Sequence, residues 1–239
     1  TYYDRAGIGA PVNFKFTPDQ HIVIAGRAIY GSINGYAKIT LDGAVVWSLA
    51  GVYSLTTGDV AGDRLSNSYV VHGEYVMNGG TVVRKLSPTG AGIWAFTKPS
   101  SGFRVEVGSD DRPVVSGFPN SGTGGAAFFK LDVDGTTLWT NIDADGPAYS
   151  LLMHAQMRMD DANAVYLAAG TLFEMAVCKV NEDGTSAWVQ TAPGGHAAGF
   201  DFGRDGSVYV VGGNTARFSQ GGTPPPVAPS GLIATLSAG

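Results

Sequence analysis

One ten-residue phrase occurs four times in this chain, as KITLDGAVVW, KLSPTGAGIW, KLDVDGTTLW and KVNEDGTSAW. Each opens on a lysine (Lys38, Lys85, Lys130, Lys179), reaches a glycine five residues on (Gly43, Gly90, Gly135, Gly184) and closes four residues later on a tryptophan (Trp47, Trp94, Trp139, Trp188). The tryptophans are 47, 45 and 49 residues apart. A period of this size marks an array of small supersecondary units, and it constrains the fold before any single segment is assigned.

A second element precedes each phrase, a β-branched run ending in glycine: HIVIAG, SYVVHG, RPVVSG, AVYLAAG and SVYVVGG, five copies in all. A turn with an acidic residue lies ahead of each run (Asp19, Asp63, Asp110, Asp161, Asp205), and ahead of that a short alternating segment: FKF, GDV in a degenerate second copy, VEV, MRM and FDF. Each unit therefore reads as four short strands joined by hairpins, with Asp-Gly pairs supplying positive φ without steric cost. Five such units predict an all-β chain, a five-bladed β-propeller of four-stranded antiparallel blades over residues 1–225. The Trp slot of the fifth unit falls in TPPPVAP, which makes no ladder strand. Tyr3 precedes Phe14 by the same 11 residues that separate Trp47 from Gly58 and Trp94 from Val105. Thr1 to Arg5 are thus expected to close the ring as the outer strand of the last blade, with Tyr3 in the tryptophan's place.

The phrases resemble those of the tryptophan-docking propellers of the pyrroloquinoline-quinone (PQQ) type, whose blades end in TGxxxW; TGAGIW matches outright, and the other three carry Asp for Thr. The resemblance implies that Trp47, Trp94, Trp139 and Trp188 pack between neighbouring blades. That family's enzymes hold the quinone beside vicinal cysteines and a calcium carboxylate cluster. This chain has a single cysteine, so the dehydrogenase activity does not carry over and no cofactor is expected. Residues 226–239 read as a Pro-rich linker, and PPPVAPSGLIATLSAG resembles the start of a fibronectin type III domain; a generic Pro/Ala/Ser tail fits the same letters.

A net charge of −5 with lysines spread one per repeat offers no basic patch for nucleic acid. No stretch approaches 18 apolar residues, so no membrane insertion by helices is expected. The chain begins at Thr with no charged-then-apolar leader, which predicts a trimmed N-terminus or a piece of something longer. Cys178, alternating with Lys179, reads as a small buried apolar residue. His21, His72, His154 and His196 fall at different repeat positions, and neither HExxH, GxSxG with partners nor GxxxxGK[ST] is present. The DxDG of LDVDG is read as a turn, because the same slot holds SPTG elsewhere, and no metal is expected.

One charged residue sits in the innermost strand of each unit: Lys15, Asp59, Glu106, Arg158 and Asp201. Two readings stay open, mutual neutralisation around the central channel and a ligand site at its mouth. Loops 118–125 and 141–156 are expected to project, the second apolar enough to tuck under a neighbour instead. The reading that follows is a non-enzymatic module of a virion (phage tail or fibre) or secreted protein, extracellular or on the virion, contacting other virion or cell-surface proteins or a glycan. The alternatives are a glycan-processing enzyme using Glu106, Asp201 and Arg158, and an intracellular protein-interaction platform.

Overall fold

A computed structural model describes residues 10–27, 33–53, 58–73, 80–98, 100–119, 126–142, 156–170, 173–195 and 197–219. Thr1 to Arg5 with Tyr3, the tail 226–239, His154, His196 and the greater part of both projecting loops lie outside these residues. Every regular element described is a strand, and the strands form five antiparallel sheets in chain order. The first holds β1 (Ala10–Phe16), β2 (His21–Arg27), β3 (Ile33–Thr40) and β4 (Val45–Tyr53). The second holds β5 (Asp59–Gly62), β6 (Ser68–Gly73), β7 (Thr81–Leu86) and β8 (Gly92–Lys98). The third holds β9 (Ser100–Val107), β10 (Pro113–Pro119), β11 (Ala127–Leu131) and β12 (Thr137–Ile142). The fourth holds β13 (Gln156–Met159), β14 (Val165–Gly170), β15 (Glu174–Val180) and β16 (Ser186–Pro193). Three described strands make the fifth: β17 (Ala197–Phe202), β18 (Val208–Gly212) and β19 (Thr215–Phe218).

The spacing of the repeated phrase follows from its hairpin. Lys38, Lys85, Lys130 and Lys179 each pair directly with the tryptophan nine residues on, and the register slips immediately after every pair. That slip is a bulge: Val46, Ile93, Leu138 or Ala187 is the extra residue, and it keeps lysine and tryptophan on one face of the sheet. The turn between them needs a glycine at φ of 87–90°, a region closed to most side chains. The first turn of each sheet also repeats. Thr17 N donates to His21 O and Gln20 N to Thr17 O, and the same two bonds recur from Asp63, Gly108, Asp160 and Gly203.

In the fourth unit Asp161 lies in the turn as expected and is exposed, and the carboxylate that accepts from that turn is that of its neighbour Asp160, which takes Ala162 N and Ala164 N. The register corrects one expectation. In the second unit the residue in register with Lys15, Glu106, Arg158 and Asp201 is Ala61, opposite Tyr69; Asp59 stands two places earlier on the same face. The 11-residue spacing from Trp47 therefore does not land on the second sheet's counterpart of Phe14, which is Val60.

Apolar faces pack sheet against next sheet. Val23, Ala25 and Tyr36 meet Val60, Val70 and Leu86; Tyr69 and Val83 meet Val105 and Phe129. Val114 and Phe128 meet Met157, Leu167 and Cys178, and Tyr166 and Val177 meet Phe200, Val210 and Phe218. Side chains such as Phe128 and Phe129 are wholly buried, each contributing about 1.5–3 kcal/mol. The tryptophans reach further. Trp47 lies on Gly90, Trp94 on Gly135 and Trp139 on Gly184, each being the turn glycine of the following sheet. Trp94 Nε1 donates to Val133 O at 2.8 Å and Trp139 Nε1 to Glu182 O at 2.9 Å. The two end faces differ: Phe14 and Phe16 on the first sheet are 56% and 66% exposed, and Tyr209 and Val211 on the fifth are 40% and 49% exposed.

A Cβ built on Gly135 would stand 2.9 Å from the Trp94 ring, at φ +90°, whereas one on Gly92 meets nothing within 4 Å. Gly135→Ala should therefore lose about 2–3 kcal/mol in urea unfolding, and Gly92→Ala should stay within about 0.5 kcal/mol of the parent. Equal costs at the two positions would contradict this packing.

Candidate functional site

The first strands of consecutive sheets run side by side, β1 against β5, β5 against β9, β9 against β13 and β13 against β17. Their charged residues meet in two groups. Lys15 Nζ pairs with Glu106, reaching past the second sheet. Asp59, almost fully buried, accepts from Asn13 Nδ2 and from the backbone N–H groups of Val60 (2.9 Å) and Val105 (3.0 Å). It thereby ties three first strands together. Burial pushes Glu106 above the usual carboxylate range, and Asp59 adds to this while Lys15 and Arg158 oppose it. The second group is exposed: Arg158 Nε lies 4.0 Å from Asp201 and donates to Phe200 O at 3.3 Å.

Each sheet also carries a pair that sequence inspection leaves as two separate repeats. The third-strand cation bonds an acid of the first turn: Lys38 to Asp19 at 2.7 Å, Lys85 to Asp63 at 3.3 Å, Lys130 to Asp110 at 2.7 Å, Lys179 to Asp160 at 3.9 Å and Arg217 to Asp205 at 2.6 Å. The acid takes either the first or the third turn position, so the spacing to its lysine is not constant. Where it takes the first position, the second strand supplies a tyrosine whose hydroxyl bonds the acid, Tyr69 to Asp63 and Tyr166 to Asp160, and whose ring lies beneath the ammonium. Burial alone would raise Asp19, but hydrogen bonds from Lys38, Thr17 and His21 outweigh it and hold the carboxyl well below its usual range.

Successive first turns clasp each other. Their fourth residue has positive φ in every sheet: Gln20, Ser66, Asp111, Asn163 and Gly206. Ser66 Oγ accepts Asp19 N at 3.1 Å, Asp111 Oδ1 accepts Arg64 N at 3.0 Å with the guanidinium doubling the bond, and Asn163 Oδ1 accepts Ser109 N at 2.7 Å. In the first turn the donor is one residue later because Pro18 has no N–H. Between the fourth and fifth sheets lies a cleft of about 320 Å³ lined by Met159, Asp160, Asp161, Tyr166, Lys179, Phe202 and Gly206.

The turn acids of the Asp-Gly hairpins are occupied locally, as where Asp134 Oδ1 accepts Thr136 N and Oγ1. Among the described residues no three His, Cys, Asp or Glu side chains gather as metal ligands. His72 is buried beside Tyr36, and burial, with a smaller push from Arg84, pulls it down to about 4, so it is neutral at physiological pH.

No protein-family model matches the chain, and no curated protein matches its sequence. Solved structures do. The Dos1 propeller aligns with a TM-score of 0.60 at 12% identity, over 89% of this chain and 55% of that one. BamB from Moraxella catarrhalis aligns at a TM-score of 0.53 and 18% identity, over 83% of this chain and 57% of its own. The fold is a β-propeller. The gluconolactonase XC5397 from Xanthomonas campestris shares it, with a TM-score of 0.54, 14% identity and coverage of 86% and 70%. At these identities the likeness carries the architecture alone, and the propeller described here spans little more than half the length of the first two. Its sheets are blades, and their first-turn clasps are bonds from blade to blade.

The folded propeller holds the Glu106 proton above the ordinary value of 4.5. The native state then binds more protons than the unfolded one just above that pH, so stability falls as pH rises through the window. Glu106→Gln removes the titration and keeps the shape of the neutral acid. Its melting temperature should match the parent's near about pH 4 and exceed it at about pH 7. A variant less stable than the parent at neutral pH would mean that attraction to Lys15 outweighs burial.

Proposed function

We propose that the chain is a non-enzymatic module of a multidomain virion protein, of phage tail or fibre type, or of a secreted one. In this reading it has five blades of the PQQ-like, tryptophan-docking kind. Thr1 to Arg5 add the outer strand of the fifth blade, with Tyr3 in the tryptophan's place. Residues 226–239 lead into a fibronectin-like domain. The module acts as a scaffold or as a contact for a receptor protein or glycan, outside the cell or on the virion.

The observation that carries the reading is the fate of the first-strand charges. Lys15 is spent on Glu106, and Asp59 on Asn13 and Val105 N. A hydrolytic site needs an acid held apart from its counter-charges, and here they bond one another and the backbone. Ring closure is supported by the faces of the end blades. Phe14 and Phe16 occupy the places that Val105 and Val107 fill in the third blade, against the second. Tyr209 occupies the place of Tyr166, so the two exposed faces match as the internal ones do.

One observation favours the glycan-processing alternative: burial raises Glu106, as it would a general acid. Incubation with a panel of polysaccharides decides between the readings. The scaffold reading expects no release of reducing ends; release that disappears in Glu106→Gln would replace it with the enzymatic one. Removing residues 1–9 tests closure and should lower the melting temperature by at least about 5 °C. An unchanged melting curve would contradict it.

A further inference from the structure

One slot on the second strands holds a small residue in four blades and a histidine in the other. It lies three places beyond the residue that pairs with the repeated cation, and it is Gly26, Gly117, Ala169 and Gly212 in the first, third, fourth and fifth blades. In the second blade it is His72, opposite Val82 and 3% exposed. Its imidazole packs against the ring of Tyr36 from the first blade, with 6.2 Å between centroids. Tyr36 in turn crosses the junction and donates its hydroxyl to Val71 O at 2.9 Å. Val83, Phe128 and Val177 stand in the place of Tyr36 in the next three blades. Among the described residues, a phenol and an imidazole therefore meet between blades at the first junction alone.

The surroundings suit a neutral ring. Nδ1 is buried and has no hydrogen-bond partner. The described groups that face the ring are Tyr36 from β3 and, from β7, the cation Arg84. On β5 the neighbouring acid is Asp59, whose oxygens accept from Asn13 Nδ2, Val60 N and Val105 N. Protonation makes both ring nitrogens donors. Here it would bury one donor without an acceptor and set a positive charge near a second one. The closed junction therefore disfavours the proton, and a ring released into water takes it at its ordinary value.

We propose that the junction between the first and second blades is an acid-sensitive latch, in which His72 admits the closed state only while its ring is neutral. Protonation drives the imidazole and Tyr36 apart and uncovers the apolar faces around Val23, Ala25, Val60 and Val70. The direction follows from linkage. Burial first, and Arg84 second, bring His72 down from 6.5 to about 4 in the closed junction. The open junction binds more protons between those two values. Closure is thus at full strength above about pH 6.5 and weakens as pH falls towards about 4. The open fraction should be about 20-fold larger at about pH 5 than at about pH 7. The latch goes beyond the scaffold reading and holds whatever the propeller contacts.

The test is amide hydrogen exchange on the full chain at about pH 7 and about pH 5, each rate divided by its intrinsic value at that pH. Protection in β3 and β6 should fall about 20-fold, while that in β10, β11, β14 and β15, at the third junction, stays the same. His72→Ala takes the residue that fills this slot in the fourth blade, and it should abolish the fall. An equal fall at both junctions, or an undiminished one in His72→Ala, would overturn the proposal. Should that variant fold poorly, the parent decides by itself. Its His72 ring, followed by NMR, should titrate below the ordinary 6.5. A ring that takes its proton at the ordinary value, with protection intact in β3 and β6, would overturn the latch.

Discussion

A sheet of four short strands has two apolar faces and covers neither by itself, so everything in this propeller depends on how one blade is seated on the next. The seat is an indole on a glycine turn. Trp47, Trp94 and Trp139 lie on Gly90, Gly135 and Gly184 of the following blades, so one ten-residue phrase both presents the knob and supplies the socket. The bulge before each tryptophan holds it on the same face as its lysine. With that face fixed, the lysine turns toward the first turn of its own blade and the tryptophan toward the next blade. Blade order and spacing follow from these two directions.

Charge is handled in the same modular way. Removing a lysine ammonium from water is costly unless a carboxylate and further acceptors meet it. Lys38 meets both Asp19 and Ser66 O, the second belonging to the next blade. Lys130 does the same with Asp110 and Glu182. The third-strand cations of the first and third blades are thus bonds between blades as well as within them. At the axis Lys15 and Asp59 bridge first strands from three blades. The charges thus form two ionic layers, one at the first strands and one along the turn rim.

The elements with repeated letters were legible from the chain alone. The Lys–Gly–Trp phrase yields a hairpin wherever it occurs, and the β-branched runs yield β2, β6, β10, β14 and β18. What escaped were features defined by position and not by residue type. The acid that meets each lysine alternates between two turn positions, which hid the pairing. The turn position at positive φ holds Gln, Ser, Asp, Asn or Gly in successive blades, and Ser66, Asp111 and Asn163 clasp from it through different side-chain oxygens. The degenerate second copy misled by two residues, because Asp59 has the charge expected of the first strand while Ala61 has the register. No pattern in the chain announces that Lys15 reaches Glu106 past an intervening blade.

The account's central claim is that the tryptophan and the next blade's glycine act as one unit. A double-mutant cycle on Trp94→Ala and Gly135→Ala, read by urea unfolding, tests it directly. If the indole is what forbids a side chain at Gly135, the cost of Gly135→Ala should fall by at least about 1 kcal/mol once Trp94 is removed, leaving the backbone term alone. The same cost in both backgrounds would mean that the two residues do not meet, and the docking account would be wrong.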